Sequence, residues 1–377
     1  MSACEINDSA NMKALDKQWE TGVDMARATI AEVAELAGVS QATVSRALRG
    51  VGKVAPKTRA KVEAAADRLG FTLSKSASSL ASGKTMRVVL LFSGKLNEWF
   101  NANVLQGVCE VLEPEGYDVS PTFVTGRQET ERYFAQLPKN RNADAIIISS
   151  FQLDESAREK LRVTDMPTVG VNIPAESFCD AAIGVDNYDG MSKAVRLLKS
   201  LGHQRIAFVV DYIPDDMVYS TSQRMEAFLE AAEQNGYDDE YAYVITADEH
   251  DAPLSKADLA AQLVAKLLSL PHMPTAICAE TDQVAIAVIK ELGKQQLHVP
   301  EDISVIGFDD ADIAQAANLT TVRQNPLEMG RNAARKTLSL LRGQTPDASY
   351  ESQEATLMLR EHMSEQFSIM IGNRSRF

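Results

Sequence analysis

The sequence predicts an α/β protein with an N-terminal three-helix head and a core of two doubly wound lobes. Nine short apolar runs alternate with amphipathic helical stretches from Arg87 onward. A helix, a glycine turn and a second helix come before them. Charge is also divided unevenly: the chain carries a net −14, yet residues 28–84 hold nine basic and four acidic side chains, a balance of +5 that leaves −19 elsewhere. A cationic module on an acidic body fits a phosphate-binding head joined to a soluble sensor.

The 377 residues suffice for two or three domains, and 45% hydrophobic with 24% charged is ordinary globular composition. No run approaches the roughly 18 apolar residues of a membrane span. The first twenty residues, MSACEINDSANMKALDKQWE, show no basic start followed by an apolar run, so no secretory signal and a cytoplasmic location are expected. Cys4, Cys109, Cys179 and Cys278 lack CxxC spacing and read as free thiols without disulfide or metal.

Residues 1–27 are polar and weakly patterned, and disorder is expected for them. The head follows at residues 28–73. Thr29 and Glu32 form a capping-box pattern in which each side chain satisfies an orphan amide. Ile30, Val33, Ala34 and Ala37 then repeat at helical spacing, and Gly38 supplies a left-handed stop. Ser40 is placed to cap a second helix running from Gln41 to about Arg49. A third starts at Pro56, is expected to bury Val62, Ala66 and Leu69, and stops at Gly70.

Helix, tight turn, helix is the helix-turn-helix, whose second helix enters the DNA major groove. Here Val44, Ala47 and Leu48 suit its buried side, while Gln41, Thr43, Ser45 and Arg46 leave an outer face of hydrogen-bonding groups. Gln41 can bind adenine bidentately, and Ala42 can touch a thymine methyl. Thr43 and Ser45 suit phosphate oxygens, and Arg46 suits guanine or phosphate. With Thr29, Ser40, Arg49, Lys57 and Thr58, these form the expected DNA-binding set.

In the core, the apolar runs RVVLLF (87–92), YDVSPTFV (117–124), DAIIIS (144–149), PTVGV (167–171), AAIGV (181–185), RIAFVV (205–210), YAYVIT (241–246), PTAIC (274–278) and ISVIGF (303–308) read as strands of parallel sheets covered on both faces. Nine exceed what one open sheet of this type usually holds, so two lobes are expected, with ligands beyond the carboxyl ends of the strands. The triplet GKT (83–85) is not a phosphate loop, because position 78, where that motif needs glycine, is Ser78. No cofactor motif, GxSxG elbow, HExxH or informative carboxylate pair is present, which argues against an enzyme.

The block TIAEVAELAGVSQATVSRALRGVGKVAPKTRAKVEAAADRLGF resembles the DNA-binding head of the LacI/GalR family of bacterial transcription regulators. The resemblance resumes at SLGHQRIAFV, AETDQVAIAVIKELG and VPEDISVIGFDDADIAQAANLTTVRQNP, covering residues 28 to about 345. It implies a repressor that binds a palindromic operator as a homodimer, with a core similar to periplasmic sugar-binding proteins and a small carbohydrate-like effector between its lobes. It further implies a hinge helix at residues 74–85, with Leu80 as a minor-groove wedge and Ala77 allowing close approach. The Pro and Asn that relatives carry near the hinge are missing, since Phe71, Leu73, Ser74 and Ala77 stand in that stretch.

By the same resemblance the lobes comprise 86–186 with 325–345, and 187–324 with 346–377. Asp309 matches a sugar-hydroxyl acceptor and Arg224 a donor to the ligand, and Asn172, Thr281 and Gln324 occupy other matching places. Trp99 and Phe100 offer a stacking platform. Asp282 reads as a helix cap and stays outside the site. Asn172 and Thr281 stand where relatives often use Asp and Asn, which suggests a less acidic cleft. With Lys95 nearby, that admits a sugar acid or sugar phosphate. Other readings are a global regulator gated by a phosphoprotein, and an exported sugar-binding protein, against which the head and the missing leader argue. No heptad tail follows residue 345, so a dimer is expected rather than a zipper-joined tetramer.

Overall fold

The computed structural model of the chain describes residues 28–48, 53–71, 84–140, 142–174, 178–212, 217–238, 240–248 and 254–364. The chain divides into two compact units, the second starting at Lys84. Three expected DNA contacts, Arg49, Ala77 and Leu80, lie outside the described residues, as do residues 1–27 and most of the proposed hinge.

The first unit holds α1 (Ile30–Ala37), α2 (Gln41–Leu48) and α3 (Pro56–Leu69). The capping box forms: the Thr29 backbone N–H donates to Glu32 Oε2 at 2.6 Å, and the Glu32 N–H donates to Thr29 Oγ1 at 3.4 Å. Those bonds hold the Glu32 carboxyl below its ordinary pKa. Gly38 takes the left-handed conformation (φ 66°) and turns the chain into α2. Val33, Val44 and Val62 are fully buried at the centre of the three helices, surrounded by small alanines. Leu69, expected in this core, is exposed. Ala65 is buried instead, and Phe71 packs against the core from just beyond the helix. The left-handed stop at Gly70 carries the chain back over the head, so Phe71 covers the edge that Leu69 points away from.

The second unit contains two sheets of similar design. The first is built from β1 (Arg87–Ser93), β2 (Asp118–Val124), β3 (Ala145–Ser149), β4 (Thr168–Val171) and β5 (Ala181–Val185). The second uses β6 (Ile206–Val210), β7 (Ala242–Thr246), β8 (Ala276–Ala279), β9 (Ser304–Asp309) and β10 (Thr320–Arg323). The nine expected runs all form strands. β10 and two edge strands, β11 (Tyr350–Gln353) and β12 (Thr356–Met358), were not expected. The orders are β11-β5-β4-β3-β1-β2 and β12-β10-β9-β8-β6-β7. Every pairing is parallel except β10 with β12.

Helices cover these sheets: α4 (Trp99–Leu112), α5 (Arg127–Asn140), α6 (Glu155–Thr164), α7 (Asn187–Ser200), α8 (Ser220–Gln234), α9 (Lys256–Leu268), α10 (Asp282–Lys294), α11 (Asp312–Ala316) and α12 (Pro326–Leu341). α12 returns to the first lobe and crosses α4 in backbone contact. A side chain at Gly107 would strike the Leu327 carbonyl, and one at Gly330 the Val104 carbonyl. One apolar cluster includes Phe92, Val104 and Met329 of the first lobe together with Phe208, Phe228 and Phe308 of the second.

One boundary needs correction. Residues 346–353 were assigned to the second lobe, but β11 pairs with β5 in the first, from Tyr350↔Ala182 to Gln353↔Val185. The chain crosses back only at Glu354 and the fully buried Ala355, before β12 joins β10. An edge strand needs only a free neighbour to pair with, and β5 offers one. Among the described residues no helix is long and apolar enough to cross a membrane.

Candidate functional site

In the head, Gln41, Ala42 and Arg46 are exposed on α2, while Thr43 and Ser45 are half-buried beside them. Ser40 caps the helix: the Thr43 N–H donates to Ser40 Oγ at 3.2 Å, and the two hydroxyls lie 2.9 Å apart. Arg46 folds back and donates from Nε to the Ala42 carbonyl at 3.2 Å. That contact leaves its forked end available. Lys57 is exposed and Thr58 half-buried in the first turn of α3, and Thr29 is engaged in the α1 cap. The polar groups on α2 therefore form a surface with little of its hydrogen-bonding capacity used internally.

In the core, a cavity of about 320 Å³ opens between the two lobes. This lies at the lower end of small-molecule sites, which run from about 300 to 1,000 Å³. Its walls come from carboxyl ends of strands: Ser93 of β1 and Gly94 after it, Ser150 after β3, Asn172 after β4, Asp211 and Tyr212 after β6, Glu280 and Thr281 after β8, Asp309 of β9 and Gln324 after β10. The starts of α4 and α8 add Glu98, Phe100 and Asn101, and Tyr219, Ser220, Thr221 and Arg224. In doubly wound sheets the loops on either side of the order reversal part at this edge and leave a crevice. Here two such edges face each other.

The lobes are also stitched beside the cavity. The Gln152 N–H donates to the Val218 carbonyl at 2.9 Å and the Ser220 N–H to the Ser150 carbonyl at 3.0 Å. Ser150 (φ 71°), Asn172 (φ 49°) and Asp309 (φ 133°) adopt positive φ, a conformation that costs a non-glycine residue on the order of 1–3 kcal/mol. Strain at three cavity-lining strand ends indicates that the surroundings over-determine these turns.

Arg224 is the electrostatic centre. It is 2% exposed, and its guanidinium lies 3.7 Å from the centroid of the Phe308 ring. Nε donates to Asn187 Oδ1 at 3.2 Å, and Nη1 donates to the Glu280 carbonyl and, at 3.5 Å, to Asp309 Oδ1. Gln324 Nε2 donates to the same Asp309 oxygen at 2.6 Å, which leaves Gln324 Oε1 buried without a partner among the described residues. Burial lowers the Arg224 pKa, against the pull of Asp309 and Glu280. Burial also pushes Asp309 up to about 6 despite Arg224, Glu280 up to about 7 and Asp282 up to about 8.

Six of the seven expected cleft residues, Phe100, Asn172, Arg224, Thr281, Asp309 and Gln324, line this one cavity. Trp99 is not among the lining residues. Consecutive helical positions point about 100° apart, so the turn that aims Phe100 inward turns Trp99 aside. Thr281, not Asp282, caps α10, accepting from the Val284 N–H at 3.3 Å. Asp282 is instead a buried brace, accepting from Thr321 Oγ1 at 2.5 Å and the Ala311 N–H at 2.8 Å. The expectation of a less acidic cleft was wrong. Glu98, Asp211, Glu280 and Asp309 line it against Arg224, the sole cation among the described lining residues, and Lys95 is exposed and not among them. Asp211 and Glu280 were missed although they directly follow β6 and β8, where the strand-end rule looks for ligands.

Residues 29–74 match the bacterial regulatory proteins of the lacI family, and residues 195–361 match the periplasmic binding protein-like domain. The HTH-type transcriptional regulator CelR of Thermobifida fusca is 29% identical over 347 residues, covering 89% of this chain and 98% of that protein.

The chain carries a lacI-family DNA-binding domain and a periplasmic binding protein-like domain.

Among solved structures, the Lac repressor dimer bound to operator and the anti-inducer ONPF superposes with a TM-score of 0.76. At 23% identity over 90% of this chain and 99% of that one, it shows a shared fold. The CelR–cellobiose complex superposes at 0.63 with 28% identity, covering 89% of this chain and 100% of that one. A LacI-family head and a two-lobed core therefore account for both matched segments and both sheets.

Proposed function

We propose that this chain is a LacI-family, sequence-specific DNA-binding transcriptional repressor whose operator affinity is set by a small hydroxylated effector in the inter-lobe cavity. The observation that carries this reading is the convergence of Arg224, Asp309 and Gln324 on a cavity walled by both lobes. A ligand held there binds the two lobes together, and it shifts their arrangement by as much as it prefers one arrangement over the other. Hydroxyl groups suit the site because they both donate and accept. Carboxylates and Gln324 Oε1 take donors, and Arg224 supplies one, while Phe100, Tyr212 and Tyr219 can face the apolar side of a ring.

In this reading the protein acts as a homodimer in the cytoplasm. Two copies of the head read two half-sites of a palindrome with α2 in the major groove. Residues 74–85 form the proposed link whose DNA-bound state the effector favours or disfavours, with Leu80 as its wedge. The relatives are regulators, and the arrangement requires no catalytic step. The acidic lining disfavours the sugar-acid and sugar-phosphate alternatives.

The full-length protein should retain a small, reproducible subset of genomic fragments at modest salt. A panel of metabolites should contain at least one that changes this retention. Retention of no subset under any metabolite condition sinks the proposal, even if the core binds sugars.

A further inference from the structure

We propose that the cleft selects a hydroxylated ligand of monosaccharide size carrying a protonated amine, and that Glu280, with Asp211 beside it, is the selecting residue. The inference rests on the reading of the cavity as an effector site and narrows the chemistry of that effector.

Glu280 is 7% exposed and lines the cavity. One carboxylate oxygen, Oε1, accepts from the Asp211 N–H at 3.1 Å. Among the described residues no cation reaches the Glu280 carboxylate within ion-pair distance: Arg224 meets Glu280 through its backbone carbonyl and directs its charge to Asp309. A carboxylate removed from water without a countercharge is costly, and a ligand ammonium supplies the missing charge. Burial pushes this carboxyl up to about 7. The Asp211 N–H bond, the exposed Lys256 and Arg224 pull it down, and the charge of the Asp211 carboxylate works against them.

Two independent features point the same way. Gln324 Oε1 is buried, has no partner among the described residues, and belongs to a lining residue. Its orientation is fixed, because Nε2 must face the Asp309 carboxylate, so the unmet need is for a donor. In addition, Phe100, Tyr212 and Tyr219 line the same cavity, and aromatic faces attract cations through their quadrupole. A buried carboxylate, an orphaned acceptor and three rings describe a site for an ammonium group more closely than one for a neutral or anionic sugar.

The test uses the full chain and matched sets built on glucose, galactose and mannose: the 2-amino sugar, its N-acetyl form, the neutral hexose and, for glucose and galactose, the hexuronate. Affinities are measured by calorimetry at pH 7.5, near or above the point where Glu280 ionises. At least one amino sugar should bind about tenfold or more tighter than its uncharged and acidic counterparts. Glu280→Gln, which keeps the acceptor for the Asp211 N–H, should reduce that preference to about threefold or less. Asp211→Asn should reduce it partly, and provides a second reading if Glu280→Gln folds poorly.

A neutral hexose or hexuronate binding as tightly as the amine overturns the proposal and leaves the cavity standing as a carbohydrate site. An amine preference that survives both substitutions overturns the role of Glu280. If no member of any set binds, the proposal is overturned, while fragment retention with other metabolites still decides the function separately.

Discussion

Arg224→Met should destabilise the core by about 3–5 kcal/mol and abolish any response to effector, because it leaves buried charge without its partner. Arg224 is the cation that compensates Asp309, and its guanidinium also stacks on the fully buried Phe308. Methionine fills much of the space but leaves Asp309 and Asp282, which repel each other, and Glu280 without the guanidinium charge. The loss should depend on pH with a definite sign. These carboxyls already sit at about 6, 7 and 8, above their ordinary values. A carboxyl raised in the folded state favours folding most when protonated, and that contribution fades as pH rises through the folded value. Urea unfolding of Arg224→Met should therefore show a larger deficit at pH 8 than at pH 5. Arg224→Met/Asp309→Asn should recover a substantial part of it, since a double replacement removes both charges. A deficit under about 1 kcal/mol at both pH values would show that Arg224 is not the compensating charge.

The second large effect lies in the head. Arg46→Ala should weaken operator binding by about 1–3 kcal/mol, that is by roughly fivefold to 150-fold. Arg46 is exposed and, among the described residues, bonds internally only through Nε to the Ala42 carbonyl, so its removal should leave the fold of the head intact by circular dichroism. Anisotropy titrations at two salt concentrations separate the two possible contacts. Loss confined to one operator base indicates base readout. A loss shared by all sequences, with a salt slope lower by about one, indicates a phosphate contact. Unchanged affinity removes Arg46 from the interface.

Much of this architecture was legible in the sequence because burial on both faces writes strands as continuous apolar runs. β1, β3, β6 and β9 are the clearest, with Ile146, Ile147 and Ile148 fully buried in succession. β10, β11 and β12 escaped for another reason. TTVR, YESQ and TLM are three or four residues long and rich in polar or exposed positions, so pairing partners rather than composition make them strands. The same limit misplaced residues 346–353, since nothing local distinguishes an edge strand of one lobe from that of the other.

The cleft was legible in a similar, partial way. Arg224, Asp309 and Gln324 were reachable through resemblance to relatives, but Glu280 and Asp211 matter through what surrounds them. Only the folded chain brings two strand ends together, takes water from one carboxylate and withholds a cation from it. Trp99 failed because adjacency in sequence is divergence on a helix. Leu69 failed because the helical period continued beyond the surface that the head had to cover.

In the proposed function, one equilibrium links effector binding in the core to operator binding by the head. Linkage makes this measurable without knowing the path between them: an effector that changes operator affinity by some factor must have its own affinity changed by operator to the same degree. Both constants can be measured on the same protein, operator affinity by anisotropy with saturating and zero effector, and effector affinity by calorimetry with and without operator. Two equal factors are expected, each well above one and each collapsing toward one in Asp309→Asn. An effector that binds the cavity tightly yet leaves operator affinity unchanged, with no reciprocal change in its own, would contradict the proposed link.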